Sequence, residues 1–446
     1  VSMNETGDNV NDSSIPTRSG LFVVALCFLT IAVDGYDLIV YGATVSALFS
    51  EPGWGLTAAG AGMIGSWTLA GLMLGLFGAG SLSDRIGRRK LIMAGVFWFS
   101  IGSLLCALAH SPTQLGIARF LTGVGLGSVV PSSVALTVEY APRNRRQLYN
   151  ALALSGYAVG GVICALLAIS LLESHGWRVL YGAGALYIFI LPVMVFFLPE
   201  SVNFLVDRNR MDEARALAAR YSIDFDRVLA DHESQRQLHA GSGERRGFRL
   251  VMSTEWRSAV LLFAIVCFCG QIVVYGMNVW LPTLMRKAGY PLGSSLHFLM
   301  VMQFGAVAGN VIGAWLADRL GSRKILISFF VVCALSLLVM SQKPGYAWLM
   351  LAVFGAGLGS IGSTTLGYGY IAAYFPALCR GSAIGTAQGL GRIGSVLGPM
   401  IGGWVVGSNL GHQWNFYVFA IPSVIAAVMV TQIPKGTRVD ASFAKA

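Results

Sequence analysis

The sequence predicts an all-α integral membrane protein, with twelve transmembrane helices in two pseudo-symmetric six-helix bundles. Three observations predict it. Of 446 residues, 55% are hydrophobic and only 12% charged, about half the charge of a soluble domain, so lipid rather than water must cover the surface. Apolar runs long enough to cross the ~30 Å hydrocarbon core recur twelve times. A polar loop motif also occurs twice, 234 positions apart.

The first six runs fall at 21–43, 58–82, 91–110, 114–138, 148–171 and 178–198. The second six fall at 258–281, 295–317, 325–341, 347–372, 382–406 and 415–433. They divide the chain into a tail (1–20), a first bundle (21–198), a central loop (199–257), a second bundle (258–433) and a second tail (434–446). The central loop is polar and predicts one surface helix, Met211–Tyr221, with Ala214, Leu217, Ala218 and Tyr221 on one face. Residues 1–20 are polar and lack a charged n-region with a cleavage site, so the first helix is expected to act as its own insertion signal.

Charge sets the orientation. Of the 31 lysines and arginines, 25 fall on the side that holds both tails and four on the other; Arg119 and Arg392 lie inside spans. That bias predicts cytoplasmic tails and a cytoplasmic central loop. The net charge of +10 resides in short loops between apolar runs, so it does not point to nucleic acid. Six of the seven cysteines lie inside apolar runs without CxxC or Cys/His spacing, so neither a disulfide framework nor a metal site is implied. Nothing suggests a cofactor.

The repeat is carried by Gly80-Ser-Leu-Ser-Asp84-Arg85-Ile-Gly87-Arg88-Arg89-Lys90 between helices 2 and 3, and Asp318-Arg319-Leu-Gly321-Ser-Arg323-Lys324 between helices 8 and 9. The same offset superposes Gly123 on Gly357, Gly125 on Gly359, Pro142 on Pro376 and Arg146 on Arg380 without a gap. Several coincidences at one offset indicate duplication. The Asp-Arg loops are expected to be conformational latches, Asp84 pairing with arginines of its own loop or a neighbouring helix, and Glu139 joining Arg143, Arg145 and Arg146 in the same gate.

Charges inside spans are costly and usually face a cavity. Asp34 and Asp37 lie three residues apart, about 4.5 Å along the helix axis and about 60° around it. Two carboxylates that close do not both ionise readily in a low dielectric, so the pair can carry a proton. Asp34 is expected to be the deeper, with Asp37 facing the outer vestibule. The alternative is a structural pair bonded to helix ends or to Arg119. Arg119 either pairs with Asp37 or reaches out to the lipid headgroups. Arg392, about 15 Å into helix 11, has a planar fork suited to a carboxylate; its alternative is an ion pair with Asp34 or Asp37. Shifted by 234, none of these charges meets a charge. The halves are alike in their loops and unlike in their buried charges.

The Gly80–Lys90 loop, Arg119-Phe-Leu-Thr-Gly123-Val-Gly125-Leu-Gly127 in helix 4 and Leu198-Pro199-Glu200-Ser201 closing helix 6 resemble the signatures of the major facilitator superfamily. Asp34-Gly35-Tyr36-Asp37, with Arg392 in Gly391-Arg392-Ile-Gly394, resembles the hallmark of its aromatic acid:proton symporter family. The resemblance implies a carrier that imports benzoate- or hydroxybenzoate-like acids with protons across a bacterial inner membrane, and a single chain is expected to be the functional unit. Asp34, Asp37 and Arg119 are the residues expected to carry coupling, and Arg392 the one expected to clamp the substrate carboxylate. An aromatic acid needs flat apolar walls and hydrogen-bonders as well. Candidates are Tyr36, Trp67, Tyr157, Tyr275, Trp280, Tyr368 and Tyr370, with Gln271, Asn278, Gln303 and Gln388 for ring hydroxyls. Other organic acids of muconate or shikimate type, or export, remain open. The central loop carries no recognisable receptor domain, and no polar constellation suggests a membrane enzyme.

Overall fold

In lipid, a backbone can satisfy its N–H and C=O groups only within itself, so each apolar run must close into a helix. The computed structural model describes residues 18–142, 145–240, 248–254, 256–408 and 410–434. The first six spans are α1 (Arg18–Leu48), α2 (Ala58–Ile86), α3 (Arg88–Ala107), α4 (Pro112–Tyr140), α5 (Arg146–His175) and α6 (Arg178–Phe197). The second six are α7 (Arg257–Lys287), α8 (Leu292–Leu320), α9 (Ser322–Ser341), α10 (Tyr346–Tyr374), α11 (Ala377–Gly407) and α12 (Trp414–Gln432). Eleven are long and apolar enough to cross a membrane; α11, with nine glycines in 31 residues, is the twelfth. Most run past the predicted ends by a turn, because a helix continues into the headgroup region where hydropathy falls. Two are interrupted. Helix α4 is built from Pro112–Leu126 and Val129–Tyr140, and α6 carries a 3₁₀ turn over Leu186–Phe189.

The side where α1 begins and α12 ends is termed proximal, the other distal. On the proximal side lie short helices at Val202–Asp207, Met211–Arg220, Phe225–Ala240 and Phe248–Val251. Met211–Arg220 buries Ala214 and Ala218, with Leu217 and Tyr221 packed beside them against the ends of α1, α3 and α4. The outer surface is apolar, as lipid requires: Phe196, Phe189 and Trp404 are each at least 71% exposed.

The duplication is visible in the packing. In the first six helices α1 packs on α5, α2 on α4, and α3 on α4 and α6; in the second six α7 packs on α11, α8 on α10, and α9 on α10 and α12. The close crossings repeat residue by residue. A Cβ on Gly71 would strike the Phe120 carbonyl, and one on Gly305 the Phe354 carbonyl. The same holds for Gly75 and Val124 against Gly309 and Leu358, and for Gly123 and Thr68 against Gly357 and Met302. Every member of these pairs sits 234 positions from its counterpart. The Gly87 and Gly321 turns also match, with φ of 93° and 89°, a left-handed conformation open to glycine and strained for other residues.

The two sets of six meet along α1–α7, α2–α11 and α5–α8. These seams are tight towards the distal side. Gly42 of α1 lies on the Asn278 carbonyl of α7, Gly62 of α2 on the Pro399 carbonyl of α11, and Gly403 on the Ala58 carbonyl. Ser66 donates across the seam to the Val396 carbonyl at 2.6 Å, and Arg286 to the Ser46 carbonyl at 3.2 Å. Towards the proximal side, Gly367, Gly369, Gly381, Gly385 and Gly389 have only open space where a Cβ would point. The molecule is closed distally and parted proximally.

Candidate functional site

Four consecutive residues of α1 point in four directions, because successive side chains on a helix are 100° apart. Gly35 lies on the Tyr157 carbonyl of α5, where any Cβ would collide. Tyr36 turns outward and donates to the Leu180 carbonyl of α6 at 2.6 Å, pinning α1 to its own half. Asp37 meets Arg119 of α4, Oδ1 to guanidinium 2.7 Å. Asp34 faces the seam between the halves, lining a narrow cavity with Asp37, Arg119, Thr68, Tyr157 and Tyr275. That cavity is too constricted for more than a water or so.

The two aspartates live in opposite conditions. Asp37 is 3% exposed and Arg119 2%. Arg119 also reaches the Asp37 carbonyl at 3.4 Å and stacks over the rings of Tyr41 and Tyr181. Asp34 is partly exposed and has no hydrogen bond or ion pair among the described residues. Sequence reasoning placed Asp34 deeper and Asp37 towards an outer vestibule. Asp37 is the more distal of the two along α1, and the closed distal seam covers it.

Across the seam, Gly391 and Gly394 let α11 lie directly on Cys267 and Phe268 of α7. Arg392, between them, is thereby turned into the interface. One guanidinium nitrogen donates to the Tyr275 hydroxyl at 3.1 Å, and Nε is buried without a partner. Tyr368 lies beside Arg392, Tyr275 and Gln271. Arg392 and Asp34 attract each other across the gap without forming an ion pair. The expected alternative of an Asp34–Arg392 or Asp37–Arg392 pair is therefore absent.

Of the other residues expected to contact a ligand, Tyr275, Tyr368, Gln271 and Tyr157 gather around Arg392 and Asp34. Tyr36 does not: its hydroxyl is spent on α6 and its ring packs against Tyr187. Asn278 is fully buried at the α1–α7 seam, bonding the Val274 carbonyl with its other amide atom unpartnered. Gln303 is fully buried at the α5–α8 seam against Gly161, with neither amide atom satisfied. Gln388 is half-buried, its amide nitrogen unpartnered. Trp280 is structural, donating to the Pro399 carbonyl at 2.8 Å. Thr68, buried with a free hydroxyl in the cavity wall, escaped sequence reasoning because a threonine in an apolar run looks like packing.

The gates differ from expectation. The surroundings of Gly80, and Arg143 altogether, lie outside the described residues. Glu139 pairs with Arg88 at 2.9 Å and accepts from Ser201 and the Asn203 amide, while Arg145 and Arg146 point to solvent. Glu200 accepts from the Arg89 and Ser201 amides at 3.0 Å and fills the space where a Gly87 Cβ would be. Asp84 is exposed and forms no ion pair among the described residues; instead Arg208 bonds the Asp84 and Arg85 carbonyls. In the second half Asp318 is exposed and likewise unpaired, Arg319 stacks on Trp315, Arg323 bonds the Thr431 carbonyl, and Arg380 bonds the Phe375 carbonyl. Positions equivalent to Glu139 and Glu200 hold Ala373 and Pro434, so these two acids have no counterparts in the second half.

Twelve spans in two matched sets, with unlike charges facing each other at the seam, define a membrane transporter of the major facilitator fold. The model of the sugar (and other) transporter family matches residues 22–435, and the chain belongs to that family. It is 33% identical to the benzoate transport protein of Acinetobacter baylyi, over 95% of this chain and 92% of that one. It is also 33% identical to the gentisate transporter of Corynebacterium glutamicum, over 92% and 87%. Among solved structures, the inward-open xylose transporter of E. coli matches with a TM-score of 0.75 at 16% identity, covering 94% of this chain and 98% of that one.

Proposed function

We propose that the protein is a proton-coupled symporter importing a small aromatic carboxylate, such as a benzoate or hydroxybenzoate, by alternating access across the plasma membrane. Both termini are cytoplasmic, and one chain is the transporting unit. The observation that carries this is the unpaired Asp34 facing Arg392 across the seam. Arg392 always bears a positive charge, and in a low dielectric it needs one anion. Two candidates compete for it: ionised Asp34 and the substrate carboxylate. When substrate takes the guanidinium fork, Asp34 must be neutral, so a proton enters with the acid. When substrate leaves, Asp34 releases its proton to the cytoplasmic side, and its carboxylate then balances Arg392 across the gap. Tyr157, Tyr275 and Tyr368 supply ring contacts, Gln271 and Gln388 bonds to ring hydroxyls. The neutral Asp37–Arg119 pair one turn away holds the local field constant.

Names of the relatives support the substrate class, and the lysine and arginine distribution supports the orientation. Uptake of labelled benzoate and 4-hydroxybenzoate into proteoliposomes tests the proposal. An imposed gradient, acid outside, should drive accumulation, and a protonophore should abolish it. Accumulation indifferent to the gradient would refute symport. Asp34→Asn should lose gradient-driven accumulation while retaining substrate exchange.

A further inference from the structure

A second cavity, of about 530 Å³, opens on the proximal side of the first bundle, away from the seam. It is walled by Arg89 and Lys90 of α3, Phe196 and Phe197 of α6, and Leu217 and Arg220 of the surface helix. Four cations line it, Arg210 being the fourth, against two carboxylates. Both carboxylates are occupied: Glu200 by the Arg89 and Ser201 amides, Glu213 by Arg210 at 2.8 and 2.5 Å. Lys90 and Arg220 therefore have no ion-pair partner among the described residues, and Arg89 buries an unpartnered Nε. The uncompensated charge sits directly above hydrocarbon. Phe196 is 80% exposed and Phe197 54%, at the end of a helix that crosses the membrane.

A soluble phosphate would satisfy the cations and leave the aromatic wall unused. We propose that the crevice binds an anionic phospholipid of the proximal leaflet. Its phosphate lies among Arg89, Lys90 and Arg220, and its acyl chains run along Phe196 and Phe197. Such a lipid ties α3 and α6 to the surface helix.

Native mass spectrometry of delipidated protein offered equal phosphatidylglycerol and phosphatidylcholine tests this. The unaltered protein should retain phosphatidylglycerol in clear preference. The double variant Lys90→Gln/Arg220→Gln should reduce that preference by roughly thirtyfold, while Arg227→Gln, exposed on the neighbouring helix, should not. Equal retention of the two lipids by the unaltered protein would overturn the proposal, whether or not the variants fold. So would a double variant indistinguishable from the unaltered protein, an equal loss in Arg227→Gln, or displacement of the lipid by millimolar inorganic phosphate.

Discussion

Asp37 and Arg119 exemplify a buried pair whose partners depend on each other. Removing one leaves the other as an uncompensated charge, a loss of about 3–5 kcal/mol in such settings. Asp37→Ala should therefore lower the unfolding temperature of detergent-purified protein sharply. Asp34→Asn, which breaks no hydrogen bond, should leave it nearly unchanged while abolishing coupling. Arg392→Lys keeps the charge but loses the planar fork; affinity for benzoate, read by calorimetry, should fall at least about tenfold, or roughly 1.4 kcal/mol. The four intramembrane charges were legible in the sequence because each is an anomaly in an apolar run. Their partners were only partly so. That Asp37 takes Arg119 while Asp34 stays free depends on which way each turn of α1 faces, and Gly35 fixes that by its fit against Tyr157. Tyr36 was misread because proximity in sequence to two intramembrane aspartates says nothing about its own face.

Helices here are positioned by glycines, and the two kinds of glycine contact should respond differently to substitution. Gly71 lies on Phe120 within the first bundle, so Gly71→Val should lower stability in any conformation. Gly42 lies on Asn278 across the seam. Gly42→Val should leave the bundles intact but prevent distal closure, trapping an outward-facing carrier that binds substrate and fails to transport it. If Gly42→Val supports normal uptake, the seam is not closed during transport.

The turn after α1 offers a further check at this scale. Glu51 accepts from Arg178 at 2.6 Å and from Trp177 at 2.7 Å. Burial alone would raise its pKa, but hydrogen bonds from Arg178 and Trp177, with the Arg178 charge, hold it below the usual 4.5. A depressed carboxylate contributes stability that is complete above its unfolded value and lost as pH falls through the folded one. Thermal unfolding of Glu51→Gln should thus differ modestly from the unaltered protein at neutral pH, by about 1 kcal/mol or less for a partly exposed pair. That difference should persist to about pH 5 and vanish in stronger acid. Repeat-related loop glycines were readable as motif letters, whereas Gly71, Gly75, Gly305 and Gly309 were not, since a glycine in a span carries no mark of what it touches.

At the scale of the molecule, architecture followed from composition, run length and one repeat offset, all properties of the chain itself. The conformation did not, because two states of a carrier share one sequence and differ only in which seam is closed. The proximal opening can be probed directly. Gly385→Cys should react quickly with a membrane-impermeant maleimide applied from the proximal side, against a low background from native cysteines, six of which are buried. Substrate with Gly42→Val should slow that labelling, and equal rates in both backgrounds would refute the assigned opening.

The bare stretch of α11 bears on how cargo departs. Gly385 is seven residues and Gly381 eleven residues before Arg392, so all three lie within about 20° of one direction on the helix. In the proposed cycle an anion leaving Arg392 passes Gly385 and Gly381, where no side chain stands, so it meets water soon after it is released. Hydration rather than a relay of weak sites then completes its release, and dissociation to the proximal side should be fast compared with the rearrangement that resets the empty protein. Placing a cation in that lane, as in Gly385→Arg, should slow efflux of bound acid without touching the residues that hold it.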